Sequence, residues 1–168
     1  MEKSEQKTIY LRNFVFGVED SLVSTVGLLS GIAAVNTPRA TILLTGTVLI
    51  FVEAFSMAAG SFLTEHSVED YLREKSGVNR RSLRGSLAMF LSYFLSGFIP
   101  LLPYLIFETS LGFIVSIIAS LFALFLLSLI SAKMANVNSF RVAMRMLLVG
   151  GIAIAVGITV GKVLGATL

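Results

Sequence analysis

The sequence predicts an all-α integral membrane protein with five transmembrane helices. Of its 168 residues, 55% are hydrophobic and only 14% are charged, and the mean hydropathy is +0.88. Soluble domains average about 45–50% apolar and about 25% charged residues. The apolar residues form runs of about 20, which is the length that a helix needs to cross a bilayer. No segment shows the alternation over about ten residues that a transmembrane β-barrel requires.

The first helix is predicted at about residues 14–35. The turn-forming residues Asn36, Thr37 and Pro38 follow it and end it. The run of 22 residues exceeds the apolar core of a signal peptide, which spans about 7–15 residues, and it carries two acids. We therefore expect this helix to be retained in the mature protein.

The remaining helices follow from later apolar runs. They are predicted at about residues 40–64, 85–102, 112–132 and 145–165. Pro100 and Pro103 are expected to end the third helix, because proline removes a backbone hydrogen bond and clashes with the preceding turn. Together the five helices make one membrane domain over residues 1–168.

The basic residues predict the orientation. Eleven Lys and Arg residues precede helix 1 or lie between helices 2 and 3 and between helices 4 and 5, whereas the opposite side has only Arg39 and Lys162. Basic residues accumulate on the cytoplasmic side of membrane proteins. The N-terminus is thus predicted to be cytoplasmic and the C-terminus outside or lumenal. The net charge of +3 reflects this orientation, and we expect contact with the lipid bilayer and no nucleic-acid partner.

The residue types that are scarce exclude several kinds of site. The chain has no cysteine and a single histidine, His66. Thiolate metal centres, iron–sulfur clusters, attached haem and a multi-histidine site within one subunit are therefore excluded. His66 lies outside the membrane motifs, so there is no nucleophile–base pair. We expect neither an enzyme nor a bound cofactor.

Glycine spacing predicts close helix packing. Gly157, Gly161 and Gly165 recur every four residues in helix 5, and Gly27 and Gly31 have the same spacing in helix 1. Such stripes let helix backbones approach each other, either within one chain or between two copies. An odd number of spans gives no simple inverted repeat. A two-fold symmetric pathway would then require two copies of the chain, which predicts a homodimer.

Three acidic residues lie inside the first two apolar runs. They are Glu19 and Asp20 in helix 1 and Glu53 in helix 2, with Met57 one turn beyond Glu53. A carboxylate near the bilayer centre costs about 2.5–3.5 kcal/mol on insertion scales, so intramembrane acids are usually functional. Carboxylates favour hard cations and a thioether favours softer ones, so the combination points to Fe²⁺ or Mn²⁺. Desolvation favours the neutral carboxyl group, which permits exchange of a proton for a metal ion.

The rise per residue predicts the depth of these groups. Counting 1.5 Å per residue from the predicted helix ends puts Asp20 and Met57 at nearly the same level, with Glu53 a turn deeper. The three would form a ladder of ligands leading inward from the cytoplasm. Glu19 points about 100° away from Asp20. It lines the same pathway only if helix 1 is broken at Gly17, and otherwise braces a neighbouring helix.

A second acidic group lies where helix 2 leaves the membrane. Glu65 and Glu69 are an i,i+4 pair, as are His66 and Asp70. The group suits a cytoplasmic loading site for a divalent metal. It equally suits a solvated helix end that is balanced by the basic residues after it.

Two segments resemble the signature motifs of the vacuolar iron transporter family. They are FGVEDSLVST at residues 16–25 and EAFSMAAGSFL at residues 53–63. Asp20 falls on the aspartate of the helix-1 motif and Met57 on the methionine of the helix-2 motif, both assigned to the metal pathway in that family. The resemblance implies a five-span dimer with a pathway between subunits. It also implies movement of Fe²⁺, and often Mn²⁺, out of the cytosol in exchange for protons.

The chain also departs from that family's pattern. Glu19 stands where many members have Ser, Ser21 where many have Gly, and Ser61 where many have Glu. Only about twenty residues, 65–84, stand where plant members insert a glutamate-rich metal-binding domain. The sequence is thus similar to a compact, prokaryote-type member, for which a prokaryotic plasma membrane fits better than a vacuolar one.

Two other functions fit the same residues. A passive cation channel would need the same acids, but its flux would ignore an imposed pH gradient. A non-transporting membrane subunit would use the acids to brace helices, so that Asp20→Asn would damage assembly rather than flux.

Overall fold

The structure, a computed structural model, describes the backbone of residues 2–71 and 80–167 and the side chains of residues 10–68, 71 and 82–167. These residues form five helices: α1 (Glu2–Ala33), α2 (Arg39–Tyr71), α3 (Arg80–Ile106), α4 (Thr109–Ala135) and α5 (Ser139–Gly165). Each contains a segment long and apolar enough to cross a membrane. The prediction of an all-α, five-span integral membrane protein is confirmed.

The helices extend beyond their predicted ends. The charged segment before residue 14 already belongs to α1, and α2 continues past residue 64 to Tyr71. Apolarity defines the part of a helix that lies in lipid, whereas the backbone hydrogen bonds continue into the polar layer on either side. The predicted ends therefore mark the apolar segments rather than the helices.

The prediction that Pro100 and Pro103 end the third helix is wrong. Helix α3 runs through both prolines to Ile106. Membrane helices tolerate proline because neighbouring helices satisfy the freed backbone groups. Neighbouring helices also hold this end of α3: the Ser116 hydroxyl of α4 donates to the Pro100 carbonyl at 2.6 Å, and Arg39 at the start of α2 donates to the Leu105 carbonyl.

Asparagines form the tight connections between helices. Asn36 follows α1 and Asn136 caps the end of α4, both with a left-handed backbone (φ 56° and 54°) that asparagine tolerates better than most residues. The Asn138 side chain then accepts hydrogen bonds from the first turn of α5. These short links keep consecutive helices antiparallel.

Helices α1 and α3 form the centre of the bundle. Helix α1 packs against all four other helices, and α3 packs against α1, α2 and α4. Half of the membrane segment of each central helix is buried, compared with 11% for α5. The helix that carries Glu19 and Asp20 is therefore held from several sides, while α2 presents much of its surface outward.

The glycine stripes of α1 and α5 pack against each other within one chain. A methyl group added at Gly31 would lie 2.6 Å from the carbonyl oxygen of Gly157, and one added at Gly161 would meet the carbonyl of Gly31. Only glycine permits backbones to approach so closely. Of the two alternatives left by the sequence, the structure thus favours packing within the chain.

Candidate functional site

The contact between α1 and α2 is built on Asn13. This residue is 2% exposed, and its amide donates to the Ser61 hydroxyl at 3.1 Å and to Glu65 Oε1 at 3.3 Å. The two helices run in opposite directions. This contact therefore fixes which residues of α1 lie level with which residues of α2. Counting from Asn13 and Ser61 puts Asp20 beside Glu53 and Met57 level with Gly17.

The register set by Asn13 and Ser61 places Asp20 of α1 and Glu53 of α2 at the same level of the α1–α2 contact. Their charges repel each other, and both side chains are half-buried. The predicted depths were therefore wrong by about one turn. Asp20 is level with Glu53, and Met57 is about 4.5 Å nearer the N-terminal end of α1, which is three residues at 1.5 Å each. The error arose because the predicted ends of the two helices, 14 and 64, are not at the same level.

Met57 lies in a groove of about 620 Å³ between α1 and α2. We call this cavity the α1–α2 groove; its lining residues are Arg12, Asn13, Phe16, Ser56, Met57, Gly60, Ser61, Thr64 and Met89. Phe16 and Gly60 are exposed on its open side, and nothing lies within 4 Å of a methyl group added at Gly60. The groove leads along α1 and α2 from Arg12 towards the carboxylate pair.

Glu19 does not share the position of Asp20. Helix α1 is continuous from Glu2 to Ala33, with no break at Gly17. Gly17 instead lets α1 approach α3, since a side chain there would meet Met89 and Ser92. In an unbroken helix Glu19 projects about 100° away from Asp20, although the charges of these neighbours still interact.

Glu65 makes protein contacts rather than standing free for a ligand. Its side chain is 13% exposed, and Oε1 lies 3.6 Å from Arg12 Nη2 as well as within reach of Asn13. Gly85 of α3 faces the same carboxylate, where a methyl group would be 3.3 Å from it. His66 stacks on Phe62 with ring centroids 6.1 Å apart. The side chains of Glu69 and Asp70 lie outside the described residues.

Tyr93 is a functional candidate that the sequence analysis missed. It is fully buried on α3, its hydroxyl lies 2.7 Å from Ser24 Oγ, and its carbonyl accepts a hydrogen bond from Ser21 Oγ at 2.7 Å. The charges of Asp20 and Glu53 both act on its hydroxyl. Tyrosine in an apolar run is unremarkable in a sequence, so only the fold could reveal this contact.

The described side chains of one chain do not form a complete metal site. Among the described side chains, no group of three or more His, Asp or Glu residues lies close enough together to hold a metal ion. What α1 and α2 provide is one pair of carboxylates and one thioether next to an open groove. Such a pair can hold a proton or a divalent cation, but further oxygen ligands must come from water or from another copy of the chain.

Known proteins resemble this chain over most of its length. The chain is 28% identical to vacuolar iron transporter homolog 4 of Arabidopsis thaliana over 186 aligned residues, covering 99% of this chain and 93% of the relative. It is 28% identical to vacuolar iron transporter homolog 1, covering 93% and 84%. It is also 32% identical to vacuolar iron transporter 1 of the same plant, over 50% of this chain and 34% of the relative.

One family model matches most of the chain, including both signature segments. It is the model of the VIT family, and it matches residues 11–86, which include Asp20, Glu53 and Met57, and residues 71–162. The resemblance that the two signature segments predicted is thereby confirmed. This five-helix integral membrane protein belongs to the VIT family.

Proposed function

We propose that the protein is a divalent-metal transporter that moves Fe²⁺ or Mn²⁺ out of the cytoplasm in exchange for protons. The observation that carries the proposal is the placement of Asp20 and Glu53 at the same level of two membrane-spanning helices. Acids at this depth are costly and usually mark an ion pathway. The names of the relatives, which are iron transporters or their homologues, support the choice of metal.

The chemistry of the groove suits these ions. Carboxylates bind Mn²⁺ and Fe²⁺ well, and the Met57 thioether adds a soft donor that Mg²⁺ and Ca²⁺ do not favour. Arg12 at the end of the groove is 66% exposed and paired with Glu65. Its charge is thus partly offset where a cation would enter.

Exchange with protons follows from the closeness of the two acids. When both carboxylates are charged, they repel each other in a medium that screens them weakly. Either a proton or a divalent cation relieves this repulsion, and the two compete for the same oxygens. A proton taken up from the far side would then release the metal there.

A homodimer would complete the ligand set. The groove is open on the outer side of the protomer, where Ser56 and Gly60 present small exposed positions on α2. If a two-fold axis passed there, two copies would supply four carboxylates and two thioethers to one pathway. These six groups match in number the octahedral coordination that Mn²⁺ commonly adopts.

The test is Mn²⁺ and Fe²⁺ flux into liposomes that contain the purified protein, with and without a proton gradient. We expect flux that accelerates with the gradient and is lost in Asp20→Asn and Glu53→Gln. Glu108→Gln is the matched control, because Glu108 is exposed, lies between α3 and α4 and does not line the groove.

The outcomes separate the competing functions. Flux that ignores the proton gradient but still requires Asp20 would identify a channel. A folded wild-type protein without flux would refute transport and leave the acids with a structural role.

A further inference from the structure

Tyr93 of α3 contacts the turn of α1 that follows Asp20. Its carbonyl accepts from Ser21 Oγ at 2.7 Å, and its hydroxyl lies 2.7 Å from Ser24 Oγ. Ser21 is the next residue after Asp20, and Ser24 is one turn further on the same face. A single residue of α3 therefore holds both ends of this turn.

The surrounding packing is tight. Ser21 and Tyr93 are fully buried, and a methyl group added at Gly97 of α3 would lie 2.9 Å from Ser21 Oγ. A methyl group added at Gly17 of α1, one turn before Ser21, would meet Ser92. Helix α1 is thus closely packed on α3 on both sides of Asp20, so a change in the Tyr93 contact is transmitted to the Asp20 backbone.

The Tyr93 hydroxyl also lies within the electrostatic range of the carboxylates. The charges of both Asp20 and Glu53 act on it. Thr25 Oγ1 on α1 is buried and also acts on the Tyr93 hydroxyl. Two hydroxyl-bearing residues of α1, Ser24 and Thr25, therefore lie next to the Tyr93 hydroxyl.

We propose that Tyr93 is a positioning residue of the metal pathway, holding the Ser21–Ser24 turn of α1 so that the Asp20 carboxylate stays beside Glu53. This inference rests on the proposed function of that pair as a metal site. Its contribution is to binding: without the Tyr93 hydroxyl the turn can shift, the two carboxylates separate, and metal affinity falls.

The structure offers a matched control for the test. Tyr104 is a second tyrosine of α3 with 0% exposure, and it lies in the apolar cluster with Leu29 and Leu101 instead of beside the carboxylates. Tyr93→Phe and Tyr104→Phe each remove one buried hydroxyl from the same helix. Tyr104→Phe thus controls for the loss of a buried hydroxyl from α3, although its hydroxyl makes no hydrogen bond to a described residue. Thermal unfolding of Tyr93→Phe, measured beside its Kd, separates a loss of stability from a positioning effect.

The experiment measures Mn²⁺ flux in liposomes and Mn²⁺ binding by electron paramagnetic resonance on the purified protein. For Tyr93→Phe we expect the KM for flux and the Kd for binding to rise about fivefold, the effect of one buried hydrogen bond. The maximal rate per folded protein should stay within about twofold, and Tyr104→Phe should match wild type. Ser24→Ala should raise the KM similarly, and the double variant no further.

The results distinguish this inference from the proposed function. If wild type binds Mn²⁺ without transporting it, the transport proposal fails, and the shift in Kd still decides the role of Tyr93. An unchanged Kd in Tyr93→Phe overturns the inference. So does an equal shift in Tyr104→Phe, and so does a wild-type protein that binds no Mn²⁺.

Discussion

The amide of Asn13 on α1 donates to Glu65 Oε1 on α2 at 3.3 Å. This contact sets the antiparallel register that brings Asp20 beside Glu53, seven residues along α1. It also engages an acid that the sequence offered as a metal-loading ligand. With Arg12 on its other side, Glu65 joins the two helices at the entrance of the α1–α2 groove.

The first prediction concerns this contact. Asn13→Ala should lower the free energy of unfolding by about 1–3 kcal/mol, because it leaves a largely buried carboxylate and the Ser61 hydroxyl without their partner. The measurement is thermal unfolding of the detergent-solubilised protein. Glu108→Gln, which changes an exposed acid, should unfold as wild type does.

Glu65→Gln separates a structural role from metal loading. A glutamine keeps an oxygen that can accept from Asn13, so the protein should stay folded and the KM for Mn²⁺ should stay near that of wild type. A large rise in KM with normal unfolding would contradict this and restore Glu65 as a ligand.

The second prediction concerns the contact between α1 and α5. Gly157→Ala should destabilise the protein by about 1–3 kcal/mol, the usual cost of overpacking, because the new methyl group would meet the Gly27 carbonyl. Gly151→Ala on the same helix is the control, since nothing lies within 4 Å of a methyl group there. Thermal unfolding of both variants checks this. If Gly157→Ala were neutral while dimerisation was lost, the stripe would instead lie between copies.

Much of the fold was predictable because lipid imposes simple rules. Apolar runs of helical length identified all five spans, and intramembrane acids identified Asp20 and Glu53. The glycine spacing predicted close packing but not its partner, since α1 and a second copy of the chain satisfy the same pattern. Pro100 was misjudged because the packing that holds α3 together around it, such as the contact from Ser116 of α4, comes from other helices and cannot be read from the local sequence.

The site was less predictable than the fold because it depends on register. Two helices of known ends can slide past each other by a turn without changing their hydropathy. The contact that fixes the register, Asn13 with Ser61, joins residues 48 positions apart. Tyr93 was missed for the same reason, since its partners Ser21 and Ser24 are identified only once α1 and α3 are packed together.

The last prediction concerns the open side of the α1–α2 groove. Gly60 is exposed there, and a methyl group added at this position has no atom of its own protomer within 4 Å. Gly60→Leu should therefore leave the protomer folded, but it should weaken dimerisation and metal flux together if two copies meet at this face. Gly151→Leu is the matched control, because Gly151 is equally exposed and unobstructed on α5, away from the groove.

The experiment measures the dimer fraction by chemical cross-linking in liposomes, together with Mn²⁺ flux, for both variants. If Gly60→Leu loses both the dimer and the flux while Gly151→Leu keeps both, the pathway lies between two copies. A leucine that only filled the groove would reduce the flux and leave the dimer intact. Normal dimers without flux would mean that the pathway runs within one protomer. If Gly151→Leu alone disrupted the dimer, the interface would lie on α5, and the four-carboxylate arrangement would be wrong.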